Sequence, residues 1–257
     1  MAMSNPTTEI NAPYPSSVNE QLSFDLGDQL PWANNLAVFD LETTGLDLEH
    51  ARIVTACAVA IDENGQVTGS NAEWLADPGI EIPEAASNVH GVTTEIARSQ
   101  GRNSKEVVSE ILETLRGFFN QGIPVVAYNA PYDFTILHYE ALRNGLEPLA
   151  DPRPIIDPLV LDKFVDQYRS GKRTLQTAAS VYGVQLSDAH NATADAVAAG
   201  KVAQAIARKH SSKLPMDVSD LHDAQIGWSA QQDDSYEIFR RKSSPDFTVV
   251  RGWPVKL

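Results

Sequence analysis

The sequence predicts an α/β domain with a mixed central sheet flanked by helices, followed by a mostly helical C-terminal extension. Two features of the chain predict it. Its first strand candidates follow one another as a meander, and strands then alternate with helical segments.

Residues 1–31 are rich in Asn, Pro, Ser and Thr, carry Glu9, Glu20, Asp25 and Asp28, and contain no Lys or Arg. That composition reads as a mobile tail, in which "QLSFDL" at 21–26 is the only apolar cluster. The folded part begins near Trp32, and the domain is expected over 32–212. Strand patterns cover 36–42, 52–61 and about 66–75, and the "DENGQ" turn makes the last two a hairpin. Val107, Ile111, Leu115 and Phe118 or Phe119 recur at helical spacing over 103–120, closed by Gly122. "IPVVAY" at 123–128 is a short apolar strand. "NAPYDFTILHYEAL" then enters a helix, with Pro131 suited to its first turn. "PII" at 154–156 is another short strand, before a helix from about 158 to 169. A helix in "RTLQTAASVYG" ends at Gly183, and an amphipathic helix covers 191–210. In the extension, 213–257, helical spacing runs through Val218, Leu221, Ala224, Trp228, Gln231, Ser235 and Phe239. This stripe is only half apolar and is expected to pack on the main domain. A loop and a short strand are expected after it.

The chain has 257 residues, 42% hydrophobic and 21% charged, enough for a sizeable core. No N-terminal secretory pattern and no membrane-length apolar stretch is present, so no membrane role is expected. The single cysteine, Cys57, lies in the apolar run "IVTACAVAI" and reads as a small buried hydrophobe, which fits a cytoplasmic location. A net charge of −14 argues against a general electrostatic nucleic-acid binder and is compatible with cation binding.

"LAVFDLETTGL" at 36–46 sets two acids in an apolar strand. Alternation puts Leu36, Val38, Asp40 and Glu42 on one face, and Ala37, Phe39 and Leu41 on the other. The Asp40 and Glu42 Cα atoms would lie about 6.6 Å apart, where like charges repel and resist desolvation. Asp133 follows the strand at 123–128 and belongs at its carboxyl end, where open α/β sheets commonly place their sites. Asp195 lies one turn into the helix at 191–210, and His190 just ahead of it. Each has a bland alternative: a helix cap for Asp133, a solvated charge for Asp195, a surface group for His190, a strand end for Asp40 and Glu42. Together they form four carboxylates and one imidazole, each at the end of an apolar element. Such a carboxylate set suits Mg²⁺ or Mn²⁺, whose charge would offset the repulsion.

These motifs resemble the DEDDh 3′–5′ exonucleases, the family of the epsilon proofreading subunit of bacterial replicative polymerase and of ribonuclease T. "FDLETTGL" is similar to the first motif, with Asp40 and Glu42; "VAYNAPYDFTIL" to the second, with Asp133; "HNATADA" to the third, with His190 and Asp195. The resemblance covers roughly 34–208 and implies a ribonuclease H-like fold and two-metal hydrolysis of 3′ ends. It implies that Asp40 bridges the two ions, that Glu42 and Asp195 complete one of them, and that Asp133 acts mainly through coordinated water. His190 would take the water's proton. It further implies that Thr43, Thr44 and Leu46 hold the terminal nucleotide, with Leu46 against a base. His90, in "IPEAASNVHGVT", together with Asn129 and Tyr132, would line the cleft. Turn or core roles remain the alternative for these six.

The expected substrate is single-stranded or frayed DNA, released as nucleoside 5′-monophosphates in proofreading or repair. RNA trimming is one alternative, and an interaction subunit of a polymerase or repair complex is another. Lys163, Arg169, Lys172 and Arg173 are candidates to grip phosphates, with a solvated surface as the alternative. The sparse basic groups predict distributive removal. "QLSFDL" is similar to peptides that bind sliding clamps, although the order of its last residues departs from them. Gln21, Leu22, Phe24 and Leu26 would make that contact, or would pack on the enzyme itself.

Overall fold

The computed structural model describes residue 1 and residues 30–69, 72–186 and 191–257. The tail cluster at 21–26 and His190 lie outside the described residues.

Strand β1 (Leu36–Thr43) runs antiparallel to β2 (Ile53–Ile61), with Asp40 opposite Cys57 and Glu42 opposite Thr55. Beside β2 lie β3 (Val67–Thr68) and β4 (Glu73–Asp77), both antiparallel to it. The chain then forms two short helices, α1 (Glu84–His90) and α2 (Thr94–Gln100), and the edge strand β5 (Arg102–Asn103), parallel to β4. Helix α3 (Ser104–Asn120) leads to β6 (Val125–Val126), which pairs parallel with β1. Helix α4 (Ala130–Arg143) leads to β7 (Ile155–Ile156), parallel to β6. Helices α5 (Pro158–Val165), α6 (Leu175–Tyr182), α7 (Ala192–His210) and α8 (Val218–Arg241) follow. The sheet order is β5-β4-β2-β1-β6-β7, so β1 is central.

The alternation in β1 divides the core. Ala37, Phe39 and Leu41 pack with Val107, Ile111 and Leu115 of α3 and Phe134 and Leu137 of α4. Leu36 and Val38 pack with Leu161 of α5 and Ala196, Ala199 and Val202 of α7. Burying each large apolar side chain contributes about 1.5–3 kcal/mol. A one-residue slip would therefore expel several of them and move Asp40 and Glu42 into the opposite layer. Helix α7 lies very close on the sheet. A Cβ on Gly200 would come within 2.5 Å of Ile61 Cδ1 and of Val38 Cγ1.

Several elements differ from expectation. The third strand is divided into β3 and β4, flanking residues 70 and 71, which lie outside the described residues. Helices α1 and α2 were not anticipated, and α1 buries none of its side chains, so it leaves no apolar period to find. Helix α5 stops at Val165 because the chain turns back on buried Asp162. Arg169 pairs with that carboxylate, Arg173 Nη1 lies 2.9 Å from it, and the Tyr182 hydroxyl donates to it at 2.9 Å. Arg169 and Arg173 are thus structural, which corrects their candidacy as phosphate grips. Burial also pushes the Lys163 ammonium below its usual range. On α8 the buried face is Leu221, His222, Gln225, Ser229 and Glu237, whereas Phe239 is exposed. Residues 243–257 contain no strand; Trp253 is instead buried against the His222 ring.

Candidate active site

Four acids meet near the carboxyl end of β1. The β1–β2 register shifts between Glu42 and Thr43, an irregularity of the kind that re-aims side chains beside active sites. Asp40 and Glu42 lie on the α7 side of the sheet, on the face shared with Leu36 and Val38. Asn191 caps α7, accepting from the N–H groups of Thr193 and Ala194 at 3.0 and 3.2 Å. This fixes the first turn, which contains Asp195, and the helix dipole favours a carboxylate there. Asp133 lies in the first turn of α4 and is buried. Its Oδ1 accepts from Leu41 N–H at 3.0 Å, joining that helix to the middle of the acid-bearing strand.

Electrostatics shows the convergence. The Asp40 carboxyl is held well above its ordinary range, first by burial and then by the charges of Asp133, Glu42 and Asp195. Glu42 is pushed up to about 7, by burial and then by Asp195. Asp133 is also raised well above its usual range, mainly by burial, although the Leu41 N–H works in the opposite direction. Among the described residues, no three His, Cys, Asp or Glu side chains stand in a ready-made coordination set. The charges of Asp133, Glu42 and Asp195 nonetheless all act on Asp40. Their donor set is entirely hard oxygen, and it fits small divalent cations that would relieve the repulsion.

The loop after β1 is tied down from two directions. Thr43 Oγ1 donates to Gly45 O at 2.8 Å and lies 2.5 Å from the Tyr132 hydroxyl, which also reaches Gly45 O at 3.0 Å. Thr44 Oγ1 accepts from Arg52 N–H at 3.0 Å, and Arg52 Nε donates to buried Glu140 at 2.6 Å. Leu46 follows, with 86% of its surface exposed. Asn129 is exposed and sits in the left-handed region, φ 66°, at the start of α4. His90 Nδ1 accepts from Val92 N–H at 3.2 Å, so Nε2 carries the proton. That Nε2 is buried and faces the Thr43 backbone without completing a hydrogen bond, and burial keeps the ring's pKa low. A cleft of about 690 Å³ adjoins these groups, lined by Thr55, Trp74, Leu75, His90, Asn191 and Thr193 among others.

Asp157 was missed in the sequence. It is buried at the end of β7 and caps α5, accepting from Leu159 N–H at 2.9 Å. Its Asp-Pro pair is an N-cap followed by proline at the first helical position, a signal that could have found it. Nothing local shows that it also accepts from Asn129 and Ala130 N–H, at 2.9 and 3.0 Å.

The mixed sheet flanked by helices has a ribonuclease H-like fold. The model of the RNase_T exonuclease family matches residues 37–203, and the chain belongs to that family, as a DEDDh (DnaQ-like) member. It is 33% identical over 163 residues to a PolC-type DNA polymerase III of Pediococcus pentosaceus, covering 63% of this chain and 11% of that protein. It is 31% identical over 166 residues to a DNA polymerase III subunit epsilon-like protein of Rhodobacter capsulatus, covering 63% of this chain and 22% of that protein. The chain thus spans only a small part of these relatives. Among solved structures, E. coli Exonuclease I in complex with a dA16 oligonucleotide shares the fold, with a TM-score of 0.59 and 18% identity over 70% of this chain and 42% of that one. Among the described residues no helix is long and apolar enough to cross a membrane.

Proposed function

We propose that the chain is a divalent-metal-dependent 3′–5′ exonuclease that shortens single-stranded or frayed DNA from its 3′ end and releases nucleoside 5′-monophosphates, in proofreading or repair. The gathering of Asp40, Glu42, Asp133 and Asp195 from β1, α4 and α7, with the pKa values of the first three raised by burial and neighbouring carboxylate charges, carries this proposal. These acids would hold two Mg²⁺ or Mn²⁺ ions, which when bound activate a water and stabilise charge on the phosphate and the leaving 3′ oxygen.

His190 is assigned as the base that takes the proton of the attacking water, a task suited to a group titrating near neutrality. Thr43 and Thr44, held by Tyr132 and Arg52, are suited to fix the terminal nucleotide. The exposed Leu46 can stack on its base. His90, with Nε2–H as donor, and Asn129 are assigned to the cleft wall. The names of the polymerase relatives and the oligonucleotide in the Exonuclease I structure favour DNA over RNA.

The catalytic unit is placed at 32–212, with 213–257 as a helical extension, in a cytoplasmic protein. Gln21, Leu22, Phe24 and Leu26 are proposed to pack on the enzyme itself or, as the alternative, to contact a sliding clamp or polymerase, and a labelled peptide of residues 16–30 that fails to bind the host clamp would remove the second role. The main test uses matched 5′-labelled DNA and RNA oligonucleotides with Mg²⁺, Mn²⁺ or EDTA. A metal-dependent ladder shortening from the 3′ end of DNA supports the proposal. Intact DNA and RNA under every condition would end it.

A further inference from the structure

The first turn of α4, which carries Asp133, is not capped from its own sequence. The Asn129 side chain makes no capping hydrogen bond. Asp157 supplies the cap from β7: its Oδ1 accepts from Asn129 N–H at 2.9 Å and its Oδ2 from Ala130 N–H at 3.0 Å. The same contacts hold Asn129 in its left-handed conformation, where a non-glycine residue costs free energy unless its surroundings enforce it.

Asp157 is in turn held from the far end of the chain. Trp253 Nε1–H donates to its Oδ2 at 3.3 Å, and its own N–H donates to Gln225 Oε1 at 2.7 Å. Gln225 Nε2 donates to Ile155 O at 2.9 Å, and His222 Nδ1 accepts from Ile155 N–H at 3.0 Å. Side chains of α8 thereby occupy the outer edge of β7 as a further strand would. The Trp253 ring packs on His222, with centroids 4.9 Å apart. Lys256 N–H donates to Thr135 Oγ1 at 2.9 Å, two residues beyond Asp133.

Each Asp157 oxygen thus receives two N–H donors, and these four bonds oppose the burial that raises the carboxyl's pKa. These C-terminal partners lie beyond the 37–203 segment that matches the family.

We propose that Asp157 is a positioning residue for Asp133, and that the C-terminal extension, through Gln225 and Trp253, holds Asp157 in place. The proposal rests on the assignment of Asp133 to metal binding. A displacement of about 1 Å at a reacting centre can cost about a hundredfold in rate, so small movements of the α4 turn matter.

The test uses the full chain with Asp157→Asn, Trp253→Phe and Gln225→Met. In Asp157→Asn the amide NH₂ must face two N–H donors. Trp253→Phe keeps the ring against His222 and removes only the donor. Mn²⁺ affinity by calorimetry, thermal unfolding, and kcat and KM on a 5′-labelled DNA oligonucleotide are measured on each folded variant. Asp157→Asn is expected to lower kcat about tenfold or more with KM little changed, and to weaken Mn²⁺ binding severalfold. Trp253→Phe and Gln225→Met should move both quantities the same way by less, and Asp157→Asn with Trp253→Phe should cost less than the sum.

A lowered melting temperature with wild-type kcat and Mn²⁺ affinity in Asp157→Asn would overturn the proposal. If Asp157→Asn does not fold, wild-type values in both other variants would overturn it. A wild type that degrades no oligonucleotide, but whose Mn²⁺ affinity falls in Asp157→Asn, would instead refute the exonuclease assignment and uphold this one.

Discussion

Replacing Glu42 by Gln should change how the metal-free protein's stability depends on pH. Glu42 ionises at about 7 in the folded chain against an ordinary 4.5, because burial and then the Asp195 charge oppose its ionisation. Between those values the folded state keeps a proton that the unfolded chain has lost, so unfolding free energy falls as pH rises through the window. The stabilisation is full below the unfolded value and is lost as pH passes the folded one. A shift of about 2.5 units corresponds to ~3 kcal/mol at 1.36 kcal/mol per unit. Solvent reaching the half-buried carboxylate screens part of this and leaves about 2 kcal/mol. Asp40 and Asp133 shift in the same direction, so the wild-type decline is steeper still. Urea unfolding in EDTA at about pH 5 and about pH 8 measures it, with the buried Trp32 and Trp74 as fluorescence reporters. Glu42→Gln should recover about 2 kcal/mol of the loss at the higher pH. Equal pH slopes for wild type and variant would refute the reasoning.

Other expectations follow from the same site. Gly200→Ala forces a methyl into Val38 and Ile61 and should cost about 1–3 kcal/mol in a melt; the displaced α7 should also lower turnover. Asp195→Asn should abolish hydrolysis with an unchanged circular dichroism spectrum, and a folded variant with near-normal turnover would remove Asp195 from the site. His190→Ala should lower turnover strongly while sparing Mn²⁺ binding, since it is assigned as base; calorimetric loss of both ions would make it a ligand. A 3′-terminal phosphate should slow degradation of a 5′-labelled strand, whereas release of a 5′ mononucleotide first would reverse the assigned polarity.

The sequence made the centre of the fold readable because period-two alternation in a central strand has one physical meaning. Phe39 and Leu41 enter one core layer, Leu36 and Val38 the other, and Asp40 and Glu42 inherit the second face. Asp133 and Asp195 were legible as acids in apolar company at element ends. Interactions between distant segments left no such mark. Asp157 meets Trp253 across 96 positions, and Gln225 reaches it across 68, with no local pattern joining them. Arg169 and Arg173 looked like free cations because buried Asp162, which pairs with both, reads as one acid in an amphipathic helix. The polar face of α8 weakened its apolar stripe for a related reason: His222 and Gln225 bond the edge of β7.

The most direct test of the carboxylate site compares wild type and Asp40→Ala in two measurements on the same samples: calorimetric titration with Mn²⁺, and degradation of a 5′-labelled single strand. The account predicts that wild type binds about two ions and shortens the strand from its 3′ end. In Asp40→Ala both should be lost while the fold is kept. Near-normal turnover in folded Asp40→Ala would contradict it.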